Sequence, residues 1–188
     1  MKIAGATFGE VDASGNAIAG SGNSADNGGA IRNIYGAELE IEQSVFAGNI
    51  ANDIDGGAIH SEGDLTLKGV QLIGNYAVSN GGAVYATGNI SIDKSDAGDK
   101  TIFRGNSVDE YGYGGAIYRW GNSATITDAV FDGNSAGRAG GAIYEQASSG
   151  QRGSLTIKAT EFSNNTANYG GAIASDNSNS IYRYGCDG

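Results

Sequence analysis

The feature that most constrains this chain is a four-residue motif that occurs six times: Gly-Gly-Ala followed by a β-branched residue. We call this motif the glycine phrase. Successive copies begin 25 to 33 residues apart. The copies occupy residues 28–31, 56–59, 81–84, 114–117, 140–143 and 170–173. A period of about 20–50 residues is typical of repeat architectures, in which each unit buries its apolar face against its neighbours. The chain is therefore predicted to be a solenoid.

Each period holds three short stretches in which apolar and polar residues alternate, and none has helical spacing. Leu65 and Leu67, for example, alternate with Thr66 and Lys68, as in a strand with one buried face. Three such strands cannot close a core alone, but coils stacked about 4.8 Å apart can. We predict an all-β parallel β-helix of roughly six to seven coils, each of about 28 residues and three strands. The alternative, an up-and-down or Greek-key protein, needs short hairpins at most junctions and no recurring dipeptide.

The regular repeats divide the chain into three parts. Residues 28–173 form the predicted β-helix, residues 1–27 an irregular N-terminal coil or cap, and residues 174–188 a truncated or capping coil. Terminal repeats of solenoids are expected to be atypical, because they face solvent on one side. Cys186 is the one cysteine, so no disulfide framework is predicted.

A second motif, Phe-x-x-Asn, precedes most of the glycine phrases. Its residues are Phe46 and Asn49, Phe103 and Asn106, Phe131 and Asn134, and Phe162 and Asn165, with Leu72 and Asn75 as a variant. We interpret the phenylalanines as rings stacked inside the coils and the asparagines as a corner ladder of side-chain amides. The glycine pairs are interpreted as tight corners with close backbone approach; they include Gly56 and Gly57, Gly114 and Gly115, and Gly140 and Gly141.

The residue after each glycine phrase is predicted to face outward, because the β-branched residue before it faces the core. These positions hold Arg32, His60, Tyr85, Tyr118, Tyr144 and Ala174. Tyr85, Tyr118 and Tyr144, with Trp120 two residues beyond Tyr118, form a candidate exposed aromatic face that could stack sugar rings or anchor a partner. The alternative is that tyrosine simply favours strands and stacks on itself.

Charge and composition exclude several other functions. With 11 Lys and Arg against 21 Asp and Glu, the chain lacks the basic surface that nucleic acids require. Its apolar runs are far shorter than the roughly 20 residues of a membrane-spanning helix, so this segment is not expected to insert. Asp93, Asp96 and Asp99 are a weak candidate for a Ca²⁺ site, and we predict no cofactor, because no nucleotide-binding fingerprint is present.

The paired Gly-Gly-Ala-(Ile/Leu/Val) and Phe-x-x-Asn repeats resemble those of polymorphic outer membrane proteins, a family of autotransporter passengers, and of bacterial surface β-helix proteins more widely. The resemblance covers residues 28–173. It implies a right-handed β-helix displayed on the bacterial outer surface, without enzymatic activity. It further implies adhesion to a host-cell receptor, a surface or a glycan through the motif residues.

Two other functional readings remain open at this stage. The first is a polysaccharide lyase or hydrolase, which would use paired carboxylates with Arg or Lys on one face; the arginines of this chain are not expected to align with a carboxylate column. The second is a self-assembling rod, because the ends of a β-helix are open sheet edges unless they are capped.

Overall fold

The computed structural model describes residues 1–146 and 154–176, and every regular element in these ranges is a short β-strand. The Gln146–Gly153 connection and residues 174–188 are therefore covered only at Gln146 and at 174–176, and Cys186 lies outside the described residues. The strands form four parallel sheets. Within the described ranges, no helix has the length and apolar character needed to cross a membrane.

The first and second sheets each contain six strands. The first sheet has the order β1 (Lys2–Ala4), β5 (Glu38–Glu42), β9 (Asp64–Lys68), β13 (Ile90–Asp93), β17 (Ala124–Thr127) and β20 (Leu155–Lys158). The second has the order β2 (Thr7–Phe8), β6 (Val45–Ala47), β10 (Gln71–Ile73), β14 (Thr101–Arg104), β18 (Ala129–Asp132) and β21 (Glu161–Ser163).

The third and fourth sheets complete each coil. The third sheet has four two-residue strands, β3 (Ser24–Ala25), β7 (Ile50–Ala51), β11 (Tyr76–Ala77) and β15 (Ser107–Val108). The fourth sheet begins after the glycine pairs and has six strands, β4 (Ile31–Asn33), β8 (Ile59–Ser61), β12 (Val84–Ala86), β16 (Ile117–Trp120), β19 (Ile143–Gln146) and β22 (Ile173–Asp176).

The core is a set of columns in which like residues stack from coil to coil. Leu39 lies beside Leu65, and Leu65 beside Ile90, and all three are buried. The phenylalanines form a parallel stack, with ring centroids 4.6 Å apart for Phe103 and Phe131 and 5.0 Å apart for Phe131 and Phe162. Because the rings stack at about the strand spacing, the Phe column fills part of the narrow interior without gaps between its rings.

The predicted parallel β-solenoid is confirmed, with two differences in detail. The six strands of the first, second and fourth sheets correspond to about five turns, slightly fewer than the predicted six to seven coils. The coils also have a fourth, very short strand after the asparagine, where three strands were predicted. Two-residue strands such as Ile50–Ala51 are too short to show an alternating pattern, so the periodicity could not reveal them.

The N-terminal residues form an irregular coil whose strands join the same sheets. Lys2–Ala4 pairs with β5, and Thr7–Phe8 pairs with β6. Between them and β3, an antiparallel bridge joins Val11 to Ala17, and this excursion lies against the corner of later coils, where Ala17 approaches Gly74.

Each glycine of the repeated pair is required for a different reason. Gly114 has a φ of 66°, in the left-handed region that disfavours residues with a Cβ. Gly115 has no unusual φ, but a Cβ there would lie 2.2 Å from the carbonyl oxygen of Gly141 on the next coil. The corner therefore stacks directly on the corner above it, and no side chain fits between them.

We predict that Gly115→Ala destabilises the protein by about 3 kcal/mol or more, because the added methyl group forces two stacked backbones apart. Thermal unfolding followed by circular dichroism should show a loss of roughly 6–12 °C in Tm. The matched control is Gly133→Asn, since Gly133 has open space around it and Asn164 occupies the equivalent position of the next coil with a φ of 56°. Equal Tm losses in both variants would contradict the corner assignment.

The asparagines form a continuous buried amide ladder at the corner after the second sheet. Asn106 Nδ2 donates to Asn134 Oδ1 and to the carbonyl oxygen of Leu72, both at 2.9 Å. Its Oδ1 accepts from the backbone and side-chain nitrogens of Asn75 at 3.0 and 2.9 Å. Every polar atom of this fully buried amide is thus satisfied, and the same pattern runs from Asn49 to Asn165.

We predict that Asn106→Asp costs at least about 3 kcal/mol in the free energy of unfolding at neutral pH, because it places a charged acceptor against two other acceptors in a buried site. Urea titration measures this loss directly. Asn52→Asp is the control: Asn52 is exposed and outside the ladder, so its midpoint should stay close to wild type. An unchanged midpoint for Asn106→Asp would show that the ladder does not contribute to stability.

Candidate binding surface

Four ring-bearing residues form one column on the outer face of the fourth sheet, here called the ring column: His60, Tyr85, Tyr118 and Tyr144. Strand register places them on consecutive coils. Their ring centroids are 4.7, 5.1 and 5.5 Å apart in that order, with interplanar angles of 22° or less. The sequence-predicted tyrosines are therefore brought together, but each ring presents its faces to the neighbouring rings.

The expectation that this column is an exposed aromatic face is wrong for two of its tyrosines. Tyr118 is 6% exposed and Tyr144 is 5% exposed, and Tyr85 is partly buried, whereas Trp120 is 44% exposed. The reason is that an outward-facing ring at the strand spacing is covered by the rings above and below it. Burial also raises the pKa of the Tyr85 hydroxyl to about 12 and raises that of Tyr118 further, so these phenols remain protonated.

The ring column meets a charged cluster at its N-terminal end. Arg32 Nη2 lies 3.1 Å from Glu62 Oε1, and the same oxygen lies 3.5 Å from His60 Nε2. Burial lowers the pKa of His60, against the opposing effect of Glu62. Burial raises the pKa of Asp55 to about 6, although Asn80 Nδ2 donates to its carboxylate at 2.9 Å.

Beside the ring column runs a second one, here called the corner column, made of the residue just before each glycine pair. Bridges join its members in the order Asp55, Asn80, Tyr113, Ala139 and Tyr169. The ring of Tyr113 is tilted against that of Tyr144 with centroids 4.6 Å apart, so the two columns contact each other sideways. The sequence analysis did not predict this column, although all of its members share one position, immediately before Gly-Gly.

Four large aromatic side chains that remain exposed lie in the strands of the fourth sheet or close to them along the chain, and we call them the aromatic flank. They are Tyr35 at 87% exposure, Tyr111 at 75%, Tyr169 at 70% and Trp120 at 44%. Tyr111 and Tyr169 lie on connections that enter the sheet, whereas Tyr35 follows β4 and Trp120 ends β16. Only Trp120 belongs to the set predicted from the sequence, because the others lie outside the alternating strands.

Two of the arginines, Arg104 and Arg119, align with carboxylates, contrary to the expectation from the sequence. Arg119 lies beside Glu145 in the strand register, with Nη1 2.6 Å from Oε1, and Arg104 Nε is 3.7 Å from Asp132 Oδ2. Arg119 is only 2% exposed and faces inward, and its Nη2 has no hydrogen-bond partner among the described residues. The Arg119–Glu145 pair was not predicted, because it depends on the strand register one residue beyond the ring column.

Asp93 at the end of β13 and Asp96 and Asp99 in the connection after it do not form the suggested Ca²⁺ site. Asp99 Oδ2 accepts from Ser95 Oγ at 3.2 Å, and Asp93 Oδ1 accepts from the backbone nitrogen of Lys94, while Asp96 is exposed. Across residues 1–146 and 154–176, no group of three His, Cys, Asp or Glu side chains could hold a metal ion. Local turn formation, which uses Ser95 and Asp99, separates these carboxylates.

The fold and its columns define a parallel β-solenoid built from Phe-x-x-Asn and Gly-Gly-Ala repeats, and sequence comparison identifies the same unit. A family model described as the Chlamydia polymorphic membrane protein repeat matches residues 100–118, 128–144 and 159–176. Each match runs from a phenylalanine strand of the second sheet through the glycine corner into the fourth sheet. The family repeat thus contains both the asparagine ladder and the tyrosines of the two outer columns.

Two curated proteins are similar in sequence to this chain over most of its length. The probable autotransporter YfaL of Escherichia coli strain K12 is 32% identical over 169 residues, which are 78% of this chain and 14% of that protein. The probable outer membrane protein pmp7 of Chlamydia pneumoniae is 36% identical over 146 residues, which are 70% of this chain and 15% of that protein. No solved structure matches the chain significantly.

The chain carries repeats of the polymorphic membrane protein type, and the resemblance to autotransporter passengers seen in these repeats is confirmed. Its relatives are an autotransporter and an outer membrane protein, which supports a location at the cell surface or the outer membrane, as the resemblance implied. The chain spans about a seventh of the length of these relatives.

We predict that Asp55→Asn makes the protein more stable at pH 7.5 and gives no gain at pH 4. The pKa of Asp55 is raised in the folded state, so the contribution of its neutral form is complete below about pH 4 and is lost as the pH rises through about 6. The expected gain is about 2 kcal/mol at pH 7.5. Asparagine fits this column, because Asn80 occupies the same position on the next coil.

Urea unfolding at the two pH values measures this difference. His60, whose pKa is lowered, is present in both proteins and cancels in the comparison between them. Asp53→Asn, an exposed change in the same turn, serves as the control and should leave the stability unchanged at both pH values. A gain from Asp55→Asn of equal size at pH 4 would contradict the assignment of a buried, charge-sensitive carboxyl.

Proposed function

We propose that this chain is a non-enzymatic passenger segment that acts in adhesion, by presenting a ligand-binding surface around its fourth sheet. The observation that carries the proposal is the aromatic flank, in which Tyr111 and Tyr169 are 75% and 70% exposed. Large exposed apolar groups that form a patch on a soluble protein mark interaction sites. Tyrosine and tryptophan also dominate the binding energy of protein interfaces.

The solenoid makes these side chains suitable for binding because it holds their backbones in place. Trp120 ends a strand that is paired on both sides, by β12 and β19. Tyr169 forms a bridge with Ala139 and donates its backbone N–H to Arg138. Little backbone entropy would therefore be lost when a ligand is bound, which favours affinity from a small contact area.

A polysaccharide-cleaving activity receives less support from the geometry. Glycoside hydrolysis uses two carboxyl groups that face one substrate site at about 5 to 9.5 Å from each other. The aligned Arg119 and Glu145 face the interior, and Arg104 and Asp132 form a surface ion pair on the second sheet. The surroundings of the fourth sheet offer aromatic rings instead, which suit binding rather than bond cleavage.

The proposal predicts that beads coated with the purified chain attach to cultured epithelial cells above the level of albumin-coated beads, and that soluble chain competes. Replacing Tyr111, Trp120 and Tyr169 together by Ser should reduce attachment at least tenfold, because the exposed rings supply the contact energy. Bound beads are counted by microscopy or flow cytometry.

The control variant carries Gln71→Ser and Glu161→Ser, two exposed changes on the second sheet, and should attach as well as wild type. Thermal unfolding of each variant verifies that the solenoid is intact. Background attachment of the wild-type chain, or an equal loss in the control, would refute adhesion through the fourth sheet.

A further inference from the structure

A cleft of about 500 Å³ lies between the N-terminal excursion, residues 9–23, and the corner that follows the second sheet. Ile18 lines it from the excursion, and Ile50 and Tyr76 line it from the first positions of two third-sheet strands. The volume lies within the usual range for ligand sites, about 300–1,000 Å³. None of the four residues of the aromatic flank lines this cleft, so it is a separate feature of the surface.

The interior of the cleft is largely aliphatic. Ile18 is 40% exposed and Ile50 is 37% exposed, while Ile73, which also lines the cleft, is 4% exposed. Branched aliphatic side chains from separate segments of the chain thus border one space and remain partly in contact with water. An apolar group that filled the space would remove this surface from water, which is favourable.

Three glycines keep the cleft free of side chains along the corner: Gly48, Gly74 and Gly105. They lie on consecutive coils, so the cleft extends roughly 10 Å along the solenoid, which suits an extended octyl chain. The position does not require glycine, because Asn164 occupies it in the last described coil with a φ of 56°. A Cβ at Gly105 would have no described heavy atom within 4 Å beyond its chain neighbours. An asparagine at 105 would therefore fit the backbone and occupy the cleft.

Arg104 is the charged residue among those that line the cleft. Its Nε lies 3.7 Å from Asp132 Oδ2, which is beyond hydrogen-bond distance, and its side chain is 42% exposed. Asp132 Oδ1 accepts instead from Ser163 Oγ and Asn164 Nδ2, both at 2.8 Å. The Arg104 guanidinium can therefore still form charge-assisted hydrogen bonds with a ligand carboxylate. The net charge of −10 opposes the approach of polyanions, so a single carboxylate is favoured.

An alkyl chain fits this cleft better than an extended peptide does. The backbone nitrogen of Ile50 donates to the carbonyl oxygen of Asn23 at 2.9 Å. The backbone nitrogen of Tyr76 donates to that of Asn49 at 2.9 Å, and that of Ile18 is bonded within the excursion. These donors are already used and cannot pair with peptide carbonyl groups, and an amide buried without a partner is costly. An alkyl chain brings no such groups.

We propose that this cleft binds a medium-chain alkyl carboxylate, with the alkyl chain against Ile18 and Ile50 and the carboxylate at Arg104. Burial of the chain supplies the affinity, and the guanidinium selects the anionic end. The site is distinct from the surface around the fourth sheet, so either function can fail without the other.

Saturation-transfer difference NMR with sodium octanoate tests the proposal. We expect saturation transfer to the octanoate methylene protons with the wild-type chain. Gly105→Asn places a side chain in the cleft and should weaken octanoate binding at least tenfold. Arg104→Gln removes the cation and should also weaken octanoate binding at least tenfold, while the binding of 1-octanol, which has no carboxylate, stays unchanged.

Gly133→Asn is the matched control for Gly105→Asn, because Gly133 holds the same position one coil further on and does not line the cleft. Arg32→Gln removes the same charge at an exposed site outside the cleft. Both controls should bind octanoate as wild type does. The Tm of all four variants should stay near that of wild type.

The absence of saturation transfer to octanoate would overturn the proposal. Equal losses in Gly105→Asn and Gly133→Asn would show that the cleft is not the binding site, and full octanoate binding by Arg104→Gln would show that the carboxylate is not recognised there. Binding of the peptide acetyl-Ala-Ala-Leu without binding of octanoate would indicate a peptide site and would also overturn it.

Discussion

The whole structure depends on parallel backbone pairing in a constant register from coil to coil. Leu39 pairs with Leu65, and the other strand residues of a coil likewise lie beside their counterparts in the next coil at about 4.8 Å. Similar side chains therefore lie next to one another on successive coils, and the residues of each column must pack favourably against each other. Where two backbones are in contact at the corner, as at Gly115 and Gly141, there is no space for a Cβ atom, and only glycine fits.

The same constraint allows polar groups inside the solenoid. An amide both donates and accepts, so a column of asparagines such as Asn75, Asn106 and Asn134 satisfies itself without water. A column of one charge could not do so. Where charges do occur inside, at Arg119 and Glu145, they alternate in sign between neighbouring coils. The constant strand register thus accounts both for the stability of the solenoid and for the repeated sequence pattern.

Much of the binding surface could be anticipated from the repeats, but its exposure could not. The shared position after the glycine phrase correctly predicted that Tyr85, Tyr118 and Tyr144 lie side by side, because the strand register follows directly from the repeat. Outward direction was then equated with exposure, although stacked rings cover one another. The corner column was not anticipated, since its members form bridges outside the alternating strands.

The sequence by itself determined the coil, the corner glycines, the inward Phe and Asn columns and the polymorphic membrane protein type, because each depends only on residues that recur at one position. The tertiary structure decided which outward side chains solvent can reach, how Arg119 meets Glu145, and how Tyr113 contacts Tyr144 from the side. These features depend on contacts between different columns, whose lateral distances are set only when the coils are packed together.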